Sequence, residues 1–137
     1  MTDLSEMKVG DRLPELRFGP ITRATLALYA GASGDHNPIH IDSDFAKTAG
    51  FDDVFAHGML TMAELGRLVS VWSGIERVRS ISTKFSAITH VADEIVCSGE
   101  IIKEEVVSGE RILTVKIQAR TSPETQTAIG ETTVVAD

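Results

Sequence analysis

Residues 59–73 read MLTMAELGRLVSVWS, and the fold is decided by what this stretch becomes. Met59, Leu60, Met62, Ala63, Leu65, Leu68, Val69, Val71 and Trp72 are apolar, too many for a one-sided surface helix. Thr61, Glu64, Arg67 and Ser70 form only a narrow stripe at i, i+3 spacing. The pattern predicts a helix buried on most sides, opened by Gly58, with Glu64 and Arg67 able to pair one turn apart.

The chain on the C-terminal side of that helix reads differently. In RILTVKIQAR (111–120), Leu113, Val115, Ile117 and Ala119 alternate with Thr114, Lys116, Gln118 and Arg120. Period two is the signature of a half-buried strand. Residues 77–88, 94–103 and 126–136 give weaker versions, separated by turn signals at Ser108-Gly109 and Ser122-Pro123. One long buried helix followed by about four antiparallel strands predicts an α+β fold, an antiparallel sheet wrapped around one long central helix. Such a sheet has free edges, and pairing with a second copy would cover one.

On the N-terminal side, KVGDRLPELRF (8–18) reads as a leading strand after a Gly10-Asp11 turn. Thr22 is placed to cap a helix over 23–32 that buries Leu26, Tyr29 and Ala30. Gly31, Ser33 and Gly34 end it. A short helix over 43–49 is closed by Gly50. The 137 residues fit one compact domain, 1–137, without staples.

Composition narrows the function. A formal charge of −7 argues against a nucleic-acid footprint. Cys97 is the only cysteine, which excludes an intrachain disulfide and a thiolate zinc site within one chain. It reads as a small core residue on a strand. There is no apolar leader at the N-terminus and no run near the roughly 20 apolar residues of a membrane span. A cytoplasmic protein is the expectation.

The chemistry concentrates in SGDHNPIH (33–40) and AHGM (56–59). Asp35 and His40 lie in a loop stiffened by Pro38, where a carboxylate and an imidazole can face one cavity. Imidazole ionises near pH 6.5 and so shuttles protons at neutral pH. Gly58 places a backbone N–H, without a side chain, at the start of the buried helix, where it can serve a developing oxyanion. Asn37 could lock the loop or help hold a water, with Ser33 beside it. His57 is expected to orient the loop rather than react, and His36 to face solvent. Plainer readings exist for each: SGDxNP is also turn chemistry, a lone histidine is usually not catalytic, and Gly58 alone would be a turn glycine.

Taken in order, YAGASGDHNPIH (29–40), Ala46, GFDDVFAHGML (50–60), KVGDRLP (8–14) and KFSA (84–87) resemble the MaoC-like family over nearly the whole chain. That family contains (R)-specific enoyl-CoA hydratases and 3-hydroxyacyl thioester dehydratases, among them the catalytic subunits of the actinobacterial type II fatty-acid synthase dehydratases. The resemblance implies a hot-dog fold with 59–73 as its central helix. It implies Asp35 and His40 acting on one water, and Gly58 N–H at the thioester oxygen. It further implies an acyl-CoA or acyl-carrier-protein substrate, and a homodimer or a heterodimer with a related subunit. No cofactor and no metal are expected. One departure stands out: ITHVADE (88–94) replaces a Pro-Gly turn common in relatives.

Three rival readings are carried forward. A thioesterase on the same fold would direct water at the thioester carbonyl. A non-catalytic binding subunit would be expected to lose the Asp or the His. A metal site would use Asp35, His36, His40 and His57, although no helical metal motif supports it.

Overall fold

The computed structural model describes residues 2–137. The central helix α3 spans Gly58–Ser73. Five strands surround it: β1 Leu16–Phe18, β2 Val78–Phe85, β3 Ile95–Val107, β4 Glu110–Ser122 and β5 Thr125–Val135. They form one antiparallel sheet in the order β1-β3-β4-β5-β2. Every strand touches α3, so the sheet curls around it as a hot-dog fold. The alternation read in 111–120 holds: Leu113, Val115, Ile117 and Ala119 are fully buried against the helix. Each such aliphatic burial contributes about 1.5–3 kcal/mol for the larger side chains.

The helix itself differs from expectation in one respect. Its exposed stripe is Met59, Ala63, Arg67 and Val71, while Thr61 and Glu64 are buried with Leu60, Leu65, Leu68 and Trp72. Polarity alone therefore misplaces the solvent face. The Glu64 carboxylate is held by Arg67 at 2.9 Å, which offsets its burial.

The leading strand over 8–18 is a second correction. Only Leu16–Phe18 pair in a strand, joined by a lone bridge from Arg12 to Glu100. Pro14 has no N–H to give the ladder, and Gly10 turns the chain at φ 96°. The strands β3 and β4, by contrast, outrun the predicted 94–103 and 111–120. Past Ile101 no residue of β3 is buried, and the polar run Lys103-Glu104-Glu105 hides the period-two signal. Ser108 and Gly109 close the hairpin with φ of 51° and 82°, the mirror-image turn that a two-residue hairpin favours.

Before α3 come α1, Arg23–Ser33, and α2, Ser43–Thr48. The Thr22 side chain accepts from Thr25 N–H, and Gly34 ends α1 in the left-handed region at φ 75°. Asp42 caps α2 by accepting from the Asp44 and Phe45 N–H groups. These two helices carry the loop 34–42 and press it against α3's N-terminus. Among the described residues no helix is long and apolar enough to cross a membrane.

Candidate active site

Three successive side-chain turns set the loop after α1. Ser33 Oγ accepts from Asp35 N–H at 3.2 Å, Asp35 Oδ1 from Asn37 N–H at 3.2 Å, and Asn37 Oδ1 from Ile39 N–H at 3.1 Å. Asn37 thereby caps a short 3₁₀ turn, Pro38–His40, with Pro38 at its first position. The capping preference of Ser, Asp and Asn explains why this polar string folds into one rigid shape. Ser33, Asp35, His36 and Asn37 are exposed, whereas His40 at the turn's end is only 9% exposed.

His40 Nδ1 lies 2.7 Å from the Phe55 carbonyl oxygen, and His57 Nε2 lies 3.1 Å from the Asp35 carbonyl oxygen. A carbonyl can only accept, so each of these nitrogens carries the hydrogen. In neutral rings, the lone pairs then sit on His40 Nε2 and His57 Nδ1. The two rings stack with centroids 3.9 Å apart, and Tyr29 meets His57 edge-on at 4.8 Å. His57 is buried and its Nδ1 has no partner. Burial pushes the His57 pKa below the usual imidazole value, and the neighbouring His40 adds to that shift. Burial thus favours the neutral His57 ring, whose Nε2 hydrogen is donated to the Asp35 carbonyl.

A carboxylate oxygen of Asp35 and ring nitrogens of His40 and His57 all lie within 4.8 Å of one another. The Phe55 and Asp35 carbonyls occupy one nitrogen of each stacked ring, leaving His40 Nε2 and His57 Nδ1 as the nitrogens a metal would need. His36 lies outside the trio.

Beside the trio is a cavity of about 210 Å³, whose lining includes His40, Phe55, Gly58, Thr61, Phe85 and Thr127. Gly58 opens α3 there; the helix has no side-chain cap at this end, which leaves N–H groups of its first turn directed outward. A Cβ on Gly58 would lie 3.4 Å from the Phe85 ring. Asp35 does not line the cavity itself. A larger groove, about 520 Å³, crosses the far face of the sheet past Lys84, Lys116 and Glu131, and holds no imidazole.

Sequence reasoning missed part of this wall. Thr61, Thr89 and Thr127 line the cavity and are buried, although Thr61 had read as one member of a polar surface stripe. The Phe55 carbonyl is a main-chain group and leaves no mark in the residue code. The departing segment 88–94 turns at Ala92, φ 77°, and places Ile88 and Thr89 in the cavity wall. Three arginines are engaged elsewhere: Arg23 pairs with Asp53, Arg79 with Glu110, and Arg77 bonds the Val135 and Ala136 carbonyls.

A curled antiparallel sheet around one helix, with the Asp35–His40 loop set against that helix's N-terminus, defines a hot-dog protein. The MaoC like domain matches residues 9–123, and the chain belongs to that family. It is 34% identical over 90 residues to the mitochondrial 3-hydroxyacyl-[acyl-carrier-protein] dehydratase of Arabidopsis thaliana, an alignment covering 66% of this chain and 53% of that protein. The chain spans about half, or less, of the length of the curated relatives it matches. Among solved structures, an (R)-hydratase from A. caviae involved in PHA biosynthesis superposes with a TM-score of 0.82 at 26% identity, covering 95% of this chain and 97% of that one. The ChsH1-ChsH2 complex from Mycobacterium tuberculosis, a heteromeric assembly, gives a TM-score of 0.79 at 25% identity, with 93% and 97% covered.

Proposed function

We propose that this chain is a hydro-lyase that reversibly hydrates trans-2-enoyl thioesters to (R)-3-hydroxyacyl thioesters. The observation that carries the reading is the Asp35–His40 pair standing beside a cavity that begins at Gly58. The thioester oxygen accepts from Gly58 N–H, helped by the positive end of the α3 dipole. Asp35 orients a water by accepting one of its hydrogens. His40 Nε2 takes the other as the oxygen bonds to C3. The alkene electrons move towards C2 and the thioester oxygen, and the imidazolium then returns its proton to C2. Dehydration runs the same steps backwards, and no cofactor or metal enters.

The (R) outcome is supported by the likeness to the A. caviae enzyme, and a carrier-protein thioester by the likeness to the plant enzyme. Coenzyme A is the alternative carrier. Residues 1–137 act in this reading as one hot-dog domain. A homodimer is part of the proposal: β2 has a free edge, and Met59 and Val71 expose apolar surface on α3. The heteromeric neighbour keeps a related partner subunit as the other arrangement. Cytoplasmic residence is supported by a lone, unpaired Cys97.

The test is the purified chain with crotonyl-CoA, following enoyl absorbance and free thiol together. Loss of the absorbance without thiol release, surviving exhaustive chelation, is the expected result. Thiol release at the same rate would make the chain a thioesterase, and silence in both channels would make it a binding subunit.

A further inference from the structure

The position before α3 holds a capping residue that does not cap. Ser, Thr, Asp and Asn are preferred there, because their side chains accept from the first free N–H groups of a helix. This chain has His57, whose side chain makes no cap hydrogen bond. The ring turns instead to the loop after α1, where Nε2–H donates to the Asp35 carbonyl at 3.1 Å.

The same ring touches the other half of the acid/base pair. Its face lies on His40, with centroids 3.9 Å apart and planes at 26°. Tyr29 of α1 meets it edge-on at 4.8 Å. Asp35 and His40 stand at opposite ends of one loop, and His57 bridges both ends.

The remaining nitrogen shows what the imidazole is needed for. Nδ1 is buried without a partner, and a buried acceptor left unpaired is destabilising. A phenyl ring would fill the same space without that cost. What imidazole adds is the Nε2 hydrogen, and that hydrogen goes to Asp35. A glutamine would supply the hydrogen without the flat face on which His40 rests. Histidine provides both, and burial favours its neutral form, which keeps like charge away from a proton held by His40.

We propose that His57 is a positioning residue that sets Asp35 and His40 against each other, holding the main chain of the first through its N–H and the ring plane of the second through its face. The inference rests on the hydro-lyase reading for its effect on rate; the two tethers do not depend on it. Such tethers matter because misplacement of a reacting group by about 1 Å can cost about 10²-fold in rate.

Two substitutions divide the work of this side chain. His57→Phe keeps the face and loses the N–H, whereas His57→Gln keeps an N–H and loses the face. With crotonyl-CoA, each folded variant is expected to lose about tenfold or more in kcat while KM stays within about twofold. Nitrogen NMR of the histidine rings reads the tethers with no substrate present. In the wild-type chain His57 should show one tautomer, with its hydrogen on Nε2, and His40 one tautomer, with its hydrogen on Nδ1. The His40 signals should move or broaden in His57→Gln. A wild-type His57 that exchanges between tautomers overturns the proposal, and this measurement decides even where neither variant folds. Wild-type kcat in either variant overturns it too, as does a loss carried by KM alone or an unmoved His40 signal in His57→Gln. Fixed tautomers in a chain that hydrates no enoyl thioester would uphold the tethers and sink the hydro-lyase reading.

Discussion

His40 is tied to Phe55 twice: its Nδ1 hydrogen reaches the Phe55 carbonyl at 2.7 Å, and the two rings meet at 83° with centroids 5.1 Å apart. The first contact fixes the tautomer and the second fixes the ring plane. Together they leave Nε2 as the ring nitrogen with a free lone pair, which the proposed reaction uses as its base.

Asp35→Asn and His40→Ala should each lower turnover of a crotonyl thioester by about 10²–10⁴, the range of general acid–base loss. Asp35 is exposed and its removal leaves no buried partner stranded, so its thermal unfolding should match wild type. Rates within threefold of wild type in both variants would sink the acid/base assignment.

Gly58→Pro isolates the N–H from the fold. Proline is favoured at the first position of a helix. The preceding His57 already has φ −58° and ψ 135°, the extended geometry that a following proline demands. The variant should fold, as read by circular dichroism, and lose about 10²–10³ in kcat, typical for one oxyanion donor. Retention of wild-type kcat would remove Gly58 from the site.

His57 makes stability depend on pH. Its folded pKa is depressed by burial below the unfolded value near 6.5. Between the two, the unfolded chain binds more protons, so stability rises with pH. The contribution is complete above about pH 6.5 and is lost as pH falls towards the depressed folded value. Urea titrations at pH 7.5 and 5.5 should show a larger loss for wild type than for His57→Gln. Equal losses would mean that His57 titrates alike in both states.

Gly130→Ala tests the sheet closure. The added Cβ would lie 2.9 Å from the Thr83 Cα and closer still to the Ser82 carbonyl on β2. No flexible side chain can yield there. The variant should lose about 1–3 kcal/mol or more in urea unfolding, as overpacked sites do. An unchanged midpoint would mean that β2 shifts freely.

Cys97 should be silent to thiol reagents. It is fully buried on β3, and burial pushes its thiol up to about 12. In the native chain at pH 8 a disulfide reagent should find no reactive thiol, and in urea one per chain. Rapid native reaction would show that β3 opens locally.

Much of this molecule was legible beforehand. The central helix, the alternation of β4, the Thr22 cap and the Gly34 stop are local features, set by periods and capping chemistry that a short window contains. The Asp35–His40 loop was legible for the same reason, since its turns span two or three residues each. What escaped depended on partners distant in the chain. The leading strand shrank because Pro14 interrupts it, while β3 and β4 grew because a hairpin tip needs no buried face. Thr61 passed for a surface residue because nothing in 59–73 says which side of α3 meets β5. The main-chain acceptor at Phe55 was invisible because any residue could supply it.

Asp35, His40, His57 and Gly58 all come from residues 35–58, while much of the remaining cavity lining draws on Thr61 of α3, the 85–89 segment and Thr127 of β5. The ionisable trio and that lining are thus written on separate stretches of one polypeptide. Substitutions at 61, 89 or 127 can reshape the space while leaving the 35–40 loop untouched.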